Sequence, residues 1–225
     1  MWKIGHRGAA GLAPENTLAS MKEALSLGVH GFEFDIQMSK DGEPVVIHDE
    51  TLDRTTNGKG LVSQFTLSEL QQLDAGKGER IPSLRNVLDL VDKRCRLFIE
   101  LKADNATQAV ADILSHYVSS LGWSYEQLFI ISFNHPQLVD IRNINPEFRT
   151  GINLVGIPVS LAAIAQEAGA WSINPAIGHT NQKLVDDAHR RKLKVFTWTA
   201  NDPLHIAKAK SLGVDGIVSD YPDRL

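Results

Sequence analysis

Short apolar runs recur along the chain, separated by longer stretches in which apolar positions fall three and four residues apart. The first pattern reads as strands and the second as amphipathic helices. The predicted strands are "KIG" (3–5), "GFEFDIQM" (31–38), "PVVIHD" (44–49), "RLFIELK" (96–102), "LFIISF" (128–133), "RTGINLV" (149–155), "WSIN" (171–174), "KVFTWT" (194–199) and "DGIVSD" (215–220). In "SLRNVLDLV", Leu84, Val87, Leu88 and Val91 share one helical face, and Ser83 is placed to cap it. Further helices are expected near 15–27, 106–120, 136–144, 158–168, 181–192 and 202–212. "LSLGVHG" (25–31) and "KSLGVDG" (210–216) carry the same punctuation, a helix stopped at Gly28 or Gly213 before the next strand.

Nine strands are one more than a (β/α)8 barrel needs. Strands 31–38 and 44–49 are joined only by "SKDGEP", and Asp-Gly is a strong two-residue hairpin signal. Strand 44–49 is therefore expected to fold back antiparallel on 31–38, leaving eight staves. The segment 50–82 becomes a small insertion before the second barrel helix, with Thr66 and Glu69 forming a capping box for a helix of its own. The expected architecture is a TIM (β/α)8 barrel over 1–225, one catalytic domain, with a β-hairpin and small insertion after the second strand.

Residues two apart on a strand share a face, so Glu33 and Asp35 point the same way, about 6–7 Å apart. With Asp41 and Gly42 as the two loop residues, Gln37 faces Val46 and Asp35 faces His48. Glu100 and Lys102 repeat the two-residue spacing at the end of the next stave. His6 and Arg7 end the first stave, and Asp220 ends the last, its neighbour once the barrel closes. All of these map to the C-terminal rim, where TIM-barrel active sites lie.

Composition alters this picture little. The chain is 43% hydrophobic and 22% charged, enough to bury a sizeable core. A net charge of −4 argues against nucleic acid or anionic membranes as partners. The single cysteine, Cys95, has no partner for a disulfide, no Cys cluster suggests zinc, and no apolar run is long enough to span a membrane. The N-terminus lacks a signal-peptide pattern, and a cytoplasmic location is expected.

The rim carries a definite chemistry. Three carboxylates without a thiol suit one hard divalent cation, Mg²⁺ or Ca²⁺. Arg7 and Lys102 suit an anionic substrate such as a phosphate. Two histidines supply an acid and a base near neutral pH. Together these are what phosphodiester cleavage calls for.

The blocks "HRGA…PENT", "FEFDIQMSKDGEPVVIHDETLDRTTNG" and "IELK" resemble the signature of the glycerophosphodiester phosphodiesterase family. The likeness continues through "ISF", "WT.N" and "SDYPD" over essentially the whole chain. The resemblance implies a barrel enzyme that cleaves small-molecule glycerophosphodiesters, such as glycerophosphocholine or glycerophosphoethanolamine, to sn-glycerol 3-phosphate and an alcohol. It implies His6 and His48 as the acid/base pair, Glu33, Asp35 and Glu100 as metal ligands, and Arg7 and Lys102 as phosphate holders. It further implies attack by the substrate's own 2-hydroxyl, through a cyclic phosphate that water opens.

Other positions stay open between two readings. Asp220 either orients His6 or caps the final stave. Trp198 is either core or a wall for the glycerol moiety, and Phe133 and His135 lie near the rim. Asn16 or Thr17 satisfies free N–H groups where the first helix begins. Arg54 either reaches substrate or braces the insertion. His116, His189 and His205 lie on predicted outer helices and read as surface residues, and His30 sits at the wrong end of its stave. Two rival functions are a lysophospholipase D and a phosphate-binding barrel without turnover. The first wants an apolar rim, for which the insertion offers few anchors; the retained histidines, carboxylates and lysine argue against the second.

Overall fold

The computed structural model describes all 225 residues. The nine strands form close to their expected ends: β1 (Trp2–Gly5), β2 (Gly31–Met38), β3 (Pro44–Val46), β4 (Arg96–Leu101), β5 (Leu128–Ser132), β6 (Arg149–Leu154), β7 (Ser172–Pro175), β8 (Lys194–Thr197) and β9 (Gly216–Ser219). All but β3 run parallel in one sheet, which closes by pairing β1 with both β2 and β9. The expected TIM barrel is therefore present, with one extra strand.

Alternation explains how the barrel is built. On β2, Phe32, Phe34 and Ile36 face outward into the main core beneath the helices, while Glu33 and Asp35 face inward. The outer layer comprises α1 (Leu18–Ser26), α3 (Leu84–Val91), α4 (Thr107–Leu121), α5 (His135–Ile144), α6 (Ala163–Glu167), α7 (Gln182–Arg190) and α8 (Pro203–Ser211). The anticipated caps form: Ser83 on α3, and Thr66 with Glu69 as a capping box on the short α2 (Leu67–Leu70) of the insertion. None of these helices is long and apolar enough to cross a membrane.

The lower barrel is plugged by aromatic rings. Phe98 and Phe129 stack at 4.9 Å between ring centres, with Trp2, Trp171 and Phe196 around them. Such pairs add roughly 0.5–1.5 kcal/mol each beyond area burial. The plug forms the floor on which the polar rim stands.

The hairpin departs from the sequence expectation. Ser39 N–H donates to the Glu43 carbonyl at 3.0 Å, leaving a three-residue loop of Lys40, Asp41 and Gly42. Only Gly42 is left-handed, at φ +82°, so the type I′ turn, which needs two such residues, does not form. Asp41 instead accepts hydrogen bonds from the Ser39 hydroxyl and the Leu67 N–H, tying the loop to α2. The register moves by one: Gln37 pairs with Val45, and Ile36 with Val46. Asp35 is thus not opposite His48; its carbonyl accepts from Ile47 N–H. His48 reaches the rim because the chain leaves the ladder after Val46 and turns, its carbonyl held by Gln37 at 3.2 Å.

Ile36 pairs with Leu101 on one edge and Val46 on the other. β3 therefore lies on the β1 edge of β2, above the point where β1 ends. Residues 50–82 continue from it over a small core of Val45, Ile47, Leu52, Val62, Leu70, Ala75 and Ile81.

Candidate active site

β2 and β4 pair in parallel with Asp35 beside Glu100, and this register brings two acids together directly. Glu33, one inward step below Asp35, completes the trio, and all three are nearly buried. One oxygen from each lies within 4.8 Å of the others. Opposite oxygens stand about 5 Å apart on one Ca²⁺ and about 4 Å apart on one Mg²⁺, so a single Ca²⁺ spans the set and Mg²⁺ would draw it slightly closer. Glu33 Oε1 is buried without a hydrogen-bond partner, an acceptor that a cation would satisfy. Burial, then Asp35 and Glu100, push Glu33 well above the usual carboxylate range. Burial, then Asp35, push Glu100 up to about 7. An oxygen-ligated cation fits these residues.

β1 ends at Gly5, and the chain doubles back immediately. The turn is tight: a Cβ on Gly5 would stand 1.9 Å from the Gly8 carbonyl oxygen. Arg7 is left-handed at φ +49°, a conformation unusual for a non-glycine residue. Its N–H donates to Glu33 Oε2, and its carbonyl accepts from the Ser20 hydroxyl and the Asn16 N–H. The guanidinium donates to Glu15 at 2.7 Å and lies 3.5 Å from Asp35. Burial disfavours its charge, but Asp35, Glu15 and Glu33 raise the Arg7 pKa on balance. Thr17, not Asn16, caps α1. Asn16 turns to Asp35 instead, donating from Nδ2 at 2.8 Å and accepting the Asp35 N–H.

The two rim histidines have matching surroundings. His6 Nδ1 is 2.6 Å from Asp220, and His48 Nδ1 is 2.6 Å from Asp49. Burial works against the charge on Asp220, but His6 and Asn201 hold its pKa below the ordinary value. Asp49 is held lower still, chiefly by Arg54. An ionised carboxylate only accepts, so each Nδ1 carries a proton, and Nε2 is the nitrogen each ring presents for taking up or giving up a proton. His6 Nε2 lies 3.9 Å from Glu33, and His48 Nε2 lies 3.3 Å from Lys102 Nζ. Lys102 also donates to Glu100 at 3.0 Å.

His6, Arg7, His48, Lys102 and the three acids line a cavity of about 240 Å³ at the barrel mouth, together with Phe133, Trp198, Ile131 and Val218. Trp198 meets Phe133 edge-on, with ring centres 5.6 Å apart, and its indole N–H donates to the Asn174 carbonyl. A model described as the glycerophosphoryl diester phosphodiesterase family matches residues 6–224. The chain belongs to that family. As a member it is a phosphodiester hydrolase.

A glycerophosphodiester phosphodiesterase of Caldanaerobacter subterraneus is 37% identical over 99% of this chain and 95% of that protein. One from Bacillus altitudinis is 31% identical over 100% and 96%. A phosphodiesterase of Oleispira antarctica, whose structure holds the product sn-glycerol-3-phosphate, superposes with a TM-score of 0.91. It shares 32% identity over 98% of this chain and 93% of that one.

In this family member, His6, Arg7, Glu33, Asp35, His48, Glu100, Lys102, Phe133 and Trp198 all line the one cavity. Asn16 and Asp220 stand just behind it. His135 turns away, with Nε2 bonded to the Asn153 carbonyl. Sequence reasoning missed Asn153 and Asn174, which line the cavity and bond to each other at 3.0 Å. Their signal was an inward polar residue in each of "RTGINLV" and "WSIN". It also missed Asp49, Glu15 and Asn201, the last standing as the Asn of "WT.N".

Proposed function

We propose that the chain hydrolyses glycerophosphodiesters such as glycerophosphocholine and glycerophosphoethanolamine to sn-glycerol 3-phosphate and an alcohol, using His6 and His48 as acid and base. The observation that carries this reading is the pairing of two carboxylate-held imidazoles around one cavity with three buried acids. Glu33, Asp35 and Glu100 would hold one Mg²⁺ or Ca²⁺, which when bound offsets charge on the phosphoryl oxygens. Arg7 and Lys102 hold the phosphate from the protein side. One imidazole accepts the proton of the substrate's 2-hydroxyl as its oxygen bonds to phosphorus. The other gives a proton to the departing alcohol oxygen as the P–O bond breaks. Water then opens the cyclic phosphate with the two roles exchanged. Trp198 and Phe133 wall the glycerol carbons, and Asp220 and Asn16 act from behind the cavity. The lone, buried, free thiol of Cys95 suits a reducing compartment, and we place the reaction in the cytoplasm.

The test is release of glycerol 3-phosphate from glycerophosphocholine. EDTA abolishes it, and Mg²⁺ or Ca²⁺ restores it. His6→Ala and His48→Ala each lower turnover at least about 100-fold; near-normal turnover in both would refute the assignment.

One observation favours a second reading, lysophospholipase D-type cleavage of monoacyl substrates. The insertion exposes one large apolar side chain, Leu61, but more occur elsewhere on the rim. The segment after β6 exposes Val155, Ile157 and Val159, and Phe133, on the neighbouring stave's end, is 43% exposed while lining the cavity. Rates on glycerophosphocholine and its monoacyl form, measured side by side, decide between them.

A further inference from the structure

The 50–82 insertion delivers one side chain to the rim without touching the cavity. Arg54 sits on a turn closed at its base by Leu52 N–H to the Gly60 carbonyl, with Leu52 fully buried in the insertion's core. From that anchored turn the guanidinium makes two forked contacts. Its Nε and one terminal nitrogen donate to the two oxygens of Asp49, at 2.7 and 2.9 Å. Its two terminal nitrogens donate to the two oxygens of Glu15, both at 2.9 Å. Asp49 holds His48 Nδ1, and Glu15 holds Arg7. His48 follows β3 and Arg7 follows β1, and a side-chain relay Arg7–Glu15–Arg54–Asp49–His48 joins these two halves of the rim.

We propose that Arg54 is a positioning residue of the reaction, which fixes Asp49 and through it the orientation and tautomer of His48, and that delivering it is a role of the insertion. The inference rests on the assignment of His48 as acid or base. A carboxylate as exposed as Asp49 has other rotamers open to it, and a bidentate fork selects one. With Asp49 released, the His48 ring loses the acceptor that keeps Nδ1 protonated and Nε2 facing Lys102. Lysine cannot replace this contact, because its ammonium is a point charge without a planar fork. Arg54 is itself half-exposed, with 47% of its side chain open to solvent, and it makes no contact with the cavity.

The experiment uses the full chain with its divalent ion and glycerophosphocholine. Arg54→Ala is expected to lower kcat on the order of 10- to 100-fold, the scale of a misplaced reacting group, with Tm little changed. Because the site is open to solvent, guanidinium ion at low millimolar concentration should restore part of that kcat, and methylammonium should not. In an Asp49→Asn background most of the kcat effect of Arg54→Ala should vanish, since both act on the same imidazole. Arg54→Lys keeps the charge without the fork and should also lower kcat, by less than Arg54→Ala, so it carries the test if Arg54→Ala folds poorly. Unchanged kcat in both Arg54 variants overturns the proposal. So does a loss that adds in full to that of Asp49→Asn, or a rise in KM alone. If wild type itself fails to release glycerol 3-phosphate, the proposed function is wrong rather than this inference.

Discussion

Lys102 Nζ lies 3.3 Å from His48 Nε2. An ammonium has only donors to offer, so the imidazole nitrogen that faces it must be the unprotonated one. The same Nζ reaches Glu100 at 3.0 Å, which places the lysine between a proposed metal ligand and a proposed acid/base group. Its position sets the charge balance of the cavity, where three carboxylates face only Arg7 and Lys102 as fixed cations.

Lys102→Met should therefore lower kcat/KM by about 100-fold or more, the scale for removing one donor aimed at developing charge. Lys102→Arg should recover part of it. The methionine variant also takes away the cation that opposes the raised Glu100 pKa, so Glu100 should titrate higher still. Steady-state kinetics on glycerophosphocholine check the first expectation, and carboxyl titration by NMR checks the second. An unaltered kcat/KM would mean that Lys102 touches neither substrate nor His48 during turnover.

Metal-free protein should lose stability as pH rises from about 5 to 8. Glu100 is raised to about 7, first by burial and then by Asp35, and Glu33 is raised well above its ordinary 4.5. In the unfolded chain both return to about 4.5. Between 4.5 and 7 the folded state binds the extra protons, so this contribution is fully present below 4.5 and is lost as pH passes through 7. Mg²⁺ or Ca²⁺ should raise Tm strongly at pH 8 and little at pH 5, because a bound cation takes the place of those protons. Glu100→Gln should flatten the metal-free slope. Equal metal-induced shifts at both pH values would contradict the ligand assignment.

The barrel was legible because local signals and global architecture agree. Period-two runs, helix caps such as Ser83, and repeated "SLGV" stops each specify one element without reference to another. The acids were legible for the same reason, since their faces follow from strand parity and stave order, and His6 from its place at the end of the first stave. The hairpin register was not, since Asp41 chooses its conformation by accepting from Leu67 N–H, 26 residues away. Arg54 shows the same limit. Its partner Glu15 is 39 residues distant, and nothing in "TLDRTTNGKG" distinguishes a guanidinium that clamps a remote loop from one that waves in solvent. His48 reached the rim despite the misread register because the strand stops before it.

Gly5→Ala should both destabilise the protein and damage the site. The added methyl would fall 1.9 Å from the Gly8 carbonyl oxygen, and backbone cannot yield as a flexible side chain would. Overpacking of this kind costs roughly 1–3 kcal/mol, which a denaturant melt would read directly. Relief by opening the turn would draw His6 off Asp220 and Arg7 off Glu33, so kcat should fall in the fraction that stays folded. A variant with wild-type stability and rate would show that the turn is looser than these distances imply.

The apolar rim separates the two substrate readings by mutation as well as by substrate. Val155 is 62% exposed and Val159 wholly so, and neither lines the cavity. Val155→Asp with Val159→Asp should leave glycerophosphocholine turnover within about twofold of wild type, as exposed changes remote from the chemistry usually do. A monoacyl chain laid along this segment would bury both valines, each contributing roughly 1.5 kcal/mol when fully covered. Charging them should then cut kcat/KM for the monoacyl substrate at least about 10-fold, measured below its micelle concentration so that aggregation does not set the rate. A selective loss of that kind would establish the rim as an acyl seat. Parallel, small changes on both substrates would leave the segment as plain surface and the enzyme as one for deacylated glycerophosphodiesters.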